Sequence, residues 1–177
     1  SGQDFSGKNL KKCKFNNTSL QNANLSNADL SNADLSNANL SNANLSGTTL
    51  NGADLSYTNL SNCNFSNLDL TEVRLRGANL TGANLANTIL TKLDLTEVKL
   101  ERANLSGATL VNTCLTSAEL AFADFSDADL TNADLSDTDM KCVNLNNAKL
   151  SGTDFGRANI GGVDLTNVDL SKANTED

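Results

Sequence analysis

The sequence predicts an all-β solenoid, a rod in which short and nearly identical units stack along the chain. The first observation is spacing: a large apolar residue occupies every fifth position from Phe5 to Leu170, in 34 consecutive positions, 27 of them Leu. Such a period fits neither an α-helix nor a regular strand, whose side chains repeat about every 3.6 and 2 residues. The second observation is that none of the 177 residues is proline, which suits a backbone whose N–H groups are almost all hydrogen-bonded.

Composition is the third observation. Only 38% of the residues are hydrophobic and 4% are aromatic, which is little for a globular core of this length but enough for one narrow column. In a solenoid each unit contacts only its neighbours, so a single apolar column suffices. Polar tracts rich in Ser and Asn are also typical of disorder. The uninterrupted series of 34 apolar residues favours the stack, because a solvated chain does not require it.

Each five-residue unit has the same order of positions around its apolar centre. The inward position, two residues before the centre, holds 16 Ala, seven Thr and five Val among its 34 members from Gln3 to Val168. The face position, directly before the centre, is mostly Asp or Asn. The two corner positions after the centre are mostly Ser, Thr, Asn or Gly, which are common in turns. Each unit is therefore predicted to form a short extended side with two inward side chains, followed by a corner.

Units such as Ala23–Asn27 and Ala28–Asn32, which read Ala-Asn-Leu-Ser-Asn and Ala-Asp-Leu-Ser-Asn, resemble the A(D/N)LXX repeat of the pentapeptide-repeat family. The resemblance covers essentially the whole chain. It implies a right-handed quadrilateral β-helix with four pentapeptides in each coil, hence about 8.5 coils. We expect one domain over residues 1–177, with repeats from 3 to 173 and no clear capping helix. Uncapped ends indicate either a segment excised from a longer chain or an end-to-end homodimer formed through the C-terminal coil.

In such a coil each unit stacks on the fourth unit before it, so the face positions form four exterior columns. One column is nearly all amide, and hydrogen bonds between stacked amides are expected along it. A second column is acidic, with Arg74 and Cys114 as its interruptions. Its acidic members are Asp34, Asp54, Asp94, Asp134 and Asp154. Because stacked carboxylates repel one another, Arg74 is predicted to compensate the charge of the acids beside it.

A second-order repeat carries the bulkiest inward residues. Its two copies, 68–73 and 93–98, both read Leu-Asp-Leu-Thr-Glu-Val and are offset by five units rather than by the four of one coil. This offset places Val73 directly below Leu93. We expect the core to swell locally at this point, and a functional bulge is the alternative interpretation.

A band of acidic residues is the candidate for contact with a partner. No Lys or Arg occurs between Arg102 and Lys141, and residues 119 to 139 span one coil, so the acids there would encircle the rod. Phe122 is expected at an outward corner of this band, where an aromatic side chain could anchor a partner. The alternative is a solubilising surface with one stray Phe. The candidate contact residues are Glu119, Phe122, Asp124, Asp127, Asp129, Asp134, Asp137 and Asp139.

Nothing in the sequence supports catalysis, a cofactor or a metal site. The chain has no His, no phosphate-binding glycine loop and no nucleophile motif, so we expect neither an enzyme nor a bound cofactor. No CxxC pair occurs among its cysteines, which argues against a zinc site. The stacking model also places the four cysteines too far apart for disulfides, and free thiols are predicted at Cys13, Cys63, Cys114 and Cys142.

The predicted function is that of a rigid, non-enzymatic scaffold or protein-interaction module with an unidentified protein partner. The alternative, which the family resemblance implies, is an acidic DNA mimic that binds a type II topoisomerase such as DNA gyrase, and the net charge of −8 favours it. The acidic pI of ≈ 4.4 argues against direct nucleic-acid binding.

The compartment is predicted only in outline. No run of apolar residues is long enough for a transmembrane helix, so no membrane insertion is expected. A soluble bacterial protein of the cytoplasm is favoured. The opening Ser1-Gly2 is also compatible with the removal of a targeting segment.

Overall fold

The computed structural model describes residues 2–175 as a continuous β-helical solenoid. Its parallel β-bridges all join positions that lie four units apart, from Asp4 with Asn24 to Asp154 with Asn174. One coil therefore consists of four five-residue units. Each unit, except the one around Leu170, contributes a single bridge residue at its face position rather than an extended strand, and residues 2–175 contain no helix.

Hydrogen bonds between coils hold the stack together along its axis. In the unit around Leu25, the N–H of Leu25 donates to the carbonyl of Asn44 in the next coil at 2.9 Å. The N–H of Asn24 donates to the preceding coil at 2.8 Å, and that of the second corner residue, Asn27, donates to the next coil at 2.8 Å. Three of the five N–H groups in each regular unit thus bond along the axis.

The other two N–H groups are bonded within the corner. The N–H of Ala28 donates to the carbonyl of Leu25 at 3.0 Å and closes a β-turn, and the N–H of Ser26 donates to Oδ1 of Asn24 at 3.2 Å. The φ of Asn27 is 57°, as a type II turn requires at its third residue. These bonds explain the repeat: Asp or Asn at the face position satisfies an N–H that would otherwise lack a partner, and Asn or Gly tolerates the left-handed corner.

The core is a column of apolar centres flanked by small inward residues. The centres from Leu20 to Phe155 are buried, as predicted from their spacing. Most buried hydroxyl groups at the inward position donate to main-chain carbonyls of the preceding coil, for example Thr113 to Leu90 at 2.9 Å, whereas Thr138 donates to Leu135 in its own coil at 2.6 Å. Inward Thr therefore packs beside the apolar column without leaving a polar group unsatisfied.

At four places in the described part of the chain the β-bridge between stacked units of successive coils is missing, and we call these places open steps. Within residues 2–175, no bridge joins 44 with 64, 49 with 69, 74 with 94, or 149 with 169. Three of these four open steps lie beside a large inward residue: Leu68, Leu93 or Val168. Both inward Leu residues thus lie at open steps, in agreement with the swelling predicted for the duplicated segment, whereas most inward Val residues lie beside intact bridges.

Two corners next to open steps have a different turn. Glu72 and Lys172 are the only second-corner residues between 2 and 172 without a positive φ. The N–H groups of Gly52 and Gly152, one coil earlier, donate to the carbonyls of Glu72 and Lys172, at 3.2 and 2.9 Å, instead of to the residue before them. The register of the corner bonds has therefore slipped by one residue at both places.

Candidate partner-contact surface

Cations in the coils on either side neutralise part of the acidic ring. The ring consists of Glu119, Asp124, Asp127, Asp129, Asp134, Asp137 and Asp139. Glu119 pairs with Lys99 at 2.9 Å, and Asp129 pairs with Lys149 at 3.4 Å. The side chain of Asp137 forms an ion pair with Arg157 at 2.5 Å. The ring looks uninterrupted along the sequence because all three cations lie one coil away.

Asp124, Asp134 and Asp139 accept hydrogen bonds from neutral groups. Oδ1 of Asp134 accepts the N–H of Ser136 at 2.9 Å and its hydroxyl at 2.6 Å. Oδ1 of Asp124 accepts a bond of 2.9 Å from the amide of Asn144. Among residues 2–175, Asp124, Asp127, Asp134 and Asp139 have no ion pair with Lys or Arg.

Hydrogen bonding favours the ionised form of two carboxylates of the ring, Asp134 and Asp137. Partial burial of Asp134 disfavours its charge, but the bonds from Ser136 and Thr116 outweigh that effect and lower its pKa below the ordinary value. For Asp137, hydrogen bonding to the Arg157 guanidinium is the largest cause of a lowered pKa. Asp134 and Asp137 therefore keep their negative charge well below neutral pH.

Phe122 projects from a rigid corner, as the sequence predicted. Its side chain is 52% exposed, its φ is 63°, and its N–H donates to the carbonyl of Lys141 at 2.9 Å. The guanidinium carbon of Arg102, one coil before, lies 5.6 Å from the centroid of the Phe122 ring, within the range of a cation–π contact. The aromatic ring is therefore held in place while much of its surface remains accessible.

Three of the four acids without a cation lie around this corner. Asp124 follows Phe122 on the adjoining face, Asp127 occupies the next corner, and Asp139 lies in the next coil on the face that precedes the Phe122 corner. We call Phe122, Asp124, Asp127 and Asp139 the Phe122 patch. Asp134, the remaining unpaired acid, lies away from it in the acidic column.

The other exterior columns have the compensation that the sequence predicted, in part. Nε of Arg74 lies 3.2 Å from Oδ2 of Asp54, whereas Asp94 is paired instead with Arg76, at 3.9 Å. In the amide column, side-chain bonds join Asn44 to Asn24 at 3.2 Å. The columns thus contribute axial contacts to the rod.

A cleft of about 370 Å³ opens beside the step between residues 74 and 94. Val73 and Leu93 lie at its base, and the charged residues along it have both signs. Arg76 pairs within the cleft with Asp94, and also with Glu97 at 3.1 Å. This mutual neutralisation leaves the cleft without a clear preference for an anion or a cation.

All four thiols are unpaired in the structure, and they differ in exposure. Cys142 is exposed one coil beyond Phe122, whereas Cys63 is buried. Desolvation raises the pKa of the Cys63 thiol to about 11, which suppresses its reactivity.

Residues 2–175 hold no group of three His, Cys, Asp or Glu side chains placed to bind a metal ion. That part of the chain also has no helix with the length and apolarity needed to cross a membrane.

The parallel bridges between successive coils and the corner in every unit define a β-helical solenoid built from pentapeptides. The family model for pentapeptide repeats matches eight copies, over residues 1–32, 28–67, 69–107, 78–116, 118–157 and 138–174. The chain therefore belongs to the pentapeptide-repeat family, as its A(D/N)LXX pattern predicted.

Solved structures include matches to this fold. A trypsin-treated form of QnrB1, a plasmid-mediated fluoroquinolone resistance protein, has a TM-score of 0.63 and 20% identity, covering 98% of this chain and 91% of QnrB1. HetL, a pentapeptide repeat protein involved in heterocyst differentiation regulation in the cyanobacterium Nostoc sp. strain PCC 7120, has a TM-score of 0.47 and 26% identity, covering 93% of this chain and 90% of HetL. No curated protein sequence matches the chain.

The sequence identified the acids of the ring, and the stacking register also predicts the pair of Glu119 with Lys99, but Lys149 and Arg157 were not predicted as the cations that neutralise Asp129 and Asp137. Lys99, Lys149 and Arg157 each lie one coil from their partner, and Arg102 lies one coil before Phe122. That offset is the signal that could have found them, because the stacking register was already predicted. In this fold the cation that pairs with an acid therefore lies in a neighbouring coil rather than nearby along the chain.

Proposed function

We propose that the protein is a rigid, non-enzymatic interaction module that binds a protein partner through the Phe122 patch. The rod would be a right-handed quadrilateral β-helix of about 8.5 coils, formed as one domain over residues 1–177. The observation that carries the proposal is Phe122 itself, an aromatic ring that is 52% exposed on a hydrogen-bonded corner. A rigid aromatic group loses little conformational freedom on binding, so its burial contributes efficiently to affinity.

Charge around Phe122 indicates the chemistry of the partner. The acids of the patch form no ion pair with Lys or Arg within residues 2–175, so a surface with Lys or Arg around an apolar pocket would complement them. The other acids of the ring, Glu119, Asp129, Asp134 and Asp137, would act at the periphery of the contact. Arg102 would stay on the ring face and limit how the partner approaches.

A Phe122→Ser variant should lose the partner, because the anchor is removed without altering any core side chain. Tyr57→Ser is a matched control: Tyr57 is 51% exposed on a corner with a φ of 58°, in a different column. Quantitative affinity capture should show proteins that bind the unaltered chain and Tyr57→Ser but are lost from Phe122→Ser and from Asp124→Asn/Asp139→Asn. Identical sets of captured proteins for all four chains would exclude the Phe122 patch as the contact.

A second candidate function is that of an acidic mimic of DNA that binds a type II topoisomerase. It is supported by the net charge of −8 and by the acidic column that contains Asp34, Asp54, Asp134 and Asp154. QnrB1, whose fold is similar, is described as a fluoroquinolone resistance protein. The ion pairs of Asp54 and of the ring acids oppose this candidate, since they reduce the negative potential of the surface.

DNA gyrase supercoiling assays separate the two candidates. A mimic should inhibit the reaction, and replacing Asp124, Asp129 and Asp134 by Asn should abolish the inhibition while keeping their hydrogen-bond acceptors. No effect at tens of micromolar protein would remove this candidate and leave the Phe122 proposal unaffected.

An end-to-end homodimer is the proposed self-association. Ile160 and Leu165 are exposed beside a cavity of about 260 Å³. Burial of these apolar side chains against a second copy would remove them from water.

A further inference from the structure

Two consecutive open steps divide the rod at one level. We call this level the seam: residues 43–52 on one side and 63–72 on the other. Within the described chain, the N–H groups of Leu45 and Leu50 have no main-chain acceptor across it. The corresponding groups at a regular level, Leu105 and Leu110, donate to the next coil at 2.7 Å each. The seam therefore lacks axial bonds that regular levels have.

The cause lies in the side chains at the seam. Leu68 occupies an inward position one coil after Thr48, in a column whose other members are mostly Ala and Thr, and it stays partly exposed. The corner bond of Gly52 has slipped to the carbonyl of Glu72 at 3.2 Å. The same combination recurs where Val168 follows Ala148. An inward Val does not open a step by itself, since the bridges beside Val143 and Val163 are intact, whereas the larger Leu68 lies at an open step.

We propose that the seam is a built-in opening point, at which the stack separates reversibly into two rigid arms while the regular levels stay closed. Local opening occurs where the fewest buried contacts and hydrogen bonds must be broken. At the seam, bridges remain between Asp54 and Arg74 and between Asn59 and Asn79. The remaining bonds lie on the other two sides of the coil, so they would act as the hinge.

Cys63 reports on this motion because it lies in the seam and faces inward. The residue is 1% exposed, and Sγ donates at 3.2 Å to the carbonyl of Leu40 in the preceding coil, at the edge of the seam. In the closed rod a reagent cannot reach it. Separation of the coils would break that bond and bring the thiol to water, so its labelling rate measures the opening.

The experiment compares two buried thiols in the same chain. The first variant keeps only Cys63, with Cys13→Ala, Cys114→Ser and Cys142→Ser. The second replaces Cys63 by Ala as well and carries Thr113→Cys at a regular level. Thr113 is a matched site, since it is also 1% exposed and donates to the carbonyl of Leu90 in the preceding coil. A disulfide reagent is added to each under native conditions, and the labelling rate is followed by absorbance.

Cys63 should be labelled at least about tenfold faster than the thiol at 113, because its exposure requires only local opening. Adding Leu68→Ala to the first variant should slow the labelling of Cys63 towards the rate at 113. Equal rates at the two sites, or rates that both follow global unfolding, would overturn the proposal.

Hydrogen exchange gives a second measurement on the unaltered chain, which does not depend on the folding of any variant. The amides of Leu45 and Leu50 should be at least about tenfold less protected than those of Leu105 and Leu110. Equal protection in the two pairs would contradict the proposed opening point.

Discussion

Replacing Phe125 by Ala is expected to lower the free energy of unfolding by about 3–5 kcal/mol. The ring is 1% exposed in the apolar column, and its N–H donates to Asn144 in the next coil at 2.8 Å, so the backbone cannot collapse into the space that the ring leaves. In a core one side chain wide, few neighbours are available to fill a cavity. Urea unfolding followed by circular dichroism measures the change.

Phe65→Ala is the control for this prediction. Phe65 is as buried as Phe125, but it lies within the seam, where fewer hydrogen bonds join neighbouring coils. The cavity at 65 should therefore relax further, and the loss of stability should be smaller than at 125. A smaller loss at 125 than at 65 would contradict the link between axial bonding and cavity cost.

The fold could be predicted in detail because the repeat never loses its phase. The spacing from Phe5 to Leu170 identifies every centre, and the two positions before each centre follow from it. The outward direction of Phe122 was predicted in the same way, and its side chain is exposed. A strict period transfers one local solution to every unit, which is why residue-level directions could be predicted at all.

The open steps could not be located with the same certainty, because they depend on how individual side chains fit. The sequence predicted swelling at the duplicated segment, and Val73 does lie one coil before Leu93 at an open step. Residue type does not explain the altered corner at Glu72, since Glu97 adopts a φ of 62° at the equivalent position of the second copy. The difference between the two copies arises from the coils they stack on.

The candidate site was predicted as a complete ring, and our proposal narrows the main contact to the Phe122 patch. The acids were visible along the chain, whereas the ion pairs of Glu119, Asp129 and Asp137 arise only between coils. Because those pairs neutralise charge locally, three of the four acids without an ion pair belong to the Phe122 patch, and Asp134 lies apart from it. Charge counted along the sequence therefore overstates the acidity of a solenoid surface.

Replacing Gly107 by Ala should lower the free energy of unfolding by about 1–3 kcal/mol, for two reasons. Its φ of 66° is unfavourable for Ala, and a Cβ at this corner would lie 2.5 Å from Oδ1 of Asn87, one coil before. The same relation holds between Gly82 and Asn62. A corner Gly is thus needed where the side chain one coil earlier folds over it.

Two further variants separate these causes. Gly107→Asn should cost less than Gly107→Ala although Asn is larger, because Asn tolerates a positive φ and can bond to the amide below, as Asn62 does to Asn42 at 3.3 Å. In a double-mutant cycle, Asn87→Gly should recover the part of the loss that comes from the contact, leaving only the cost of the backbone conformation. Strictly additive losses for Gly107→Ala and Asn87→Gly would show that the Asn87 contact has no effect, and that backbone conformation alone selects glycine at these corners.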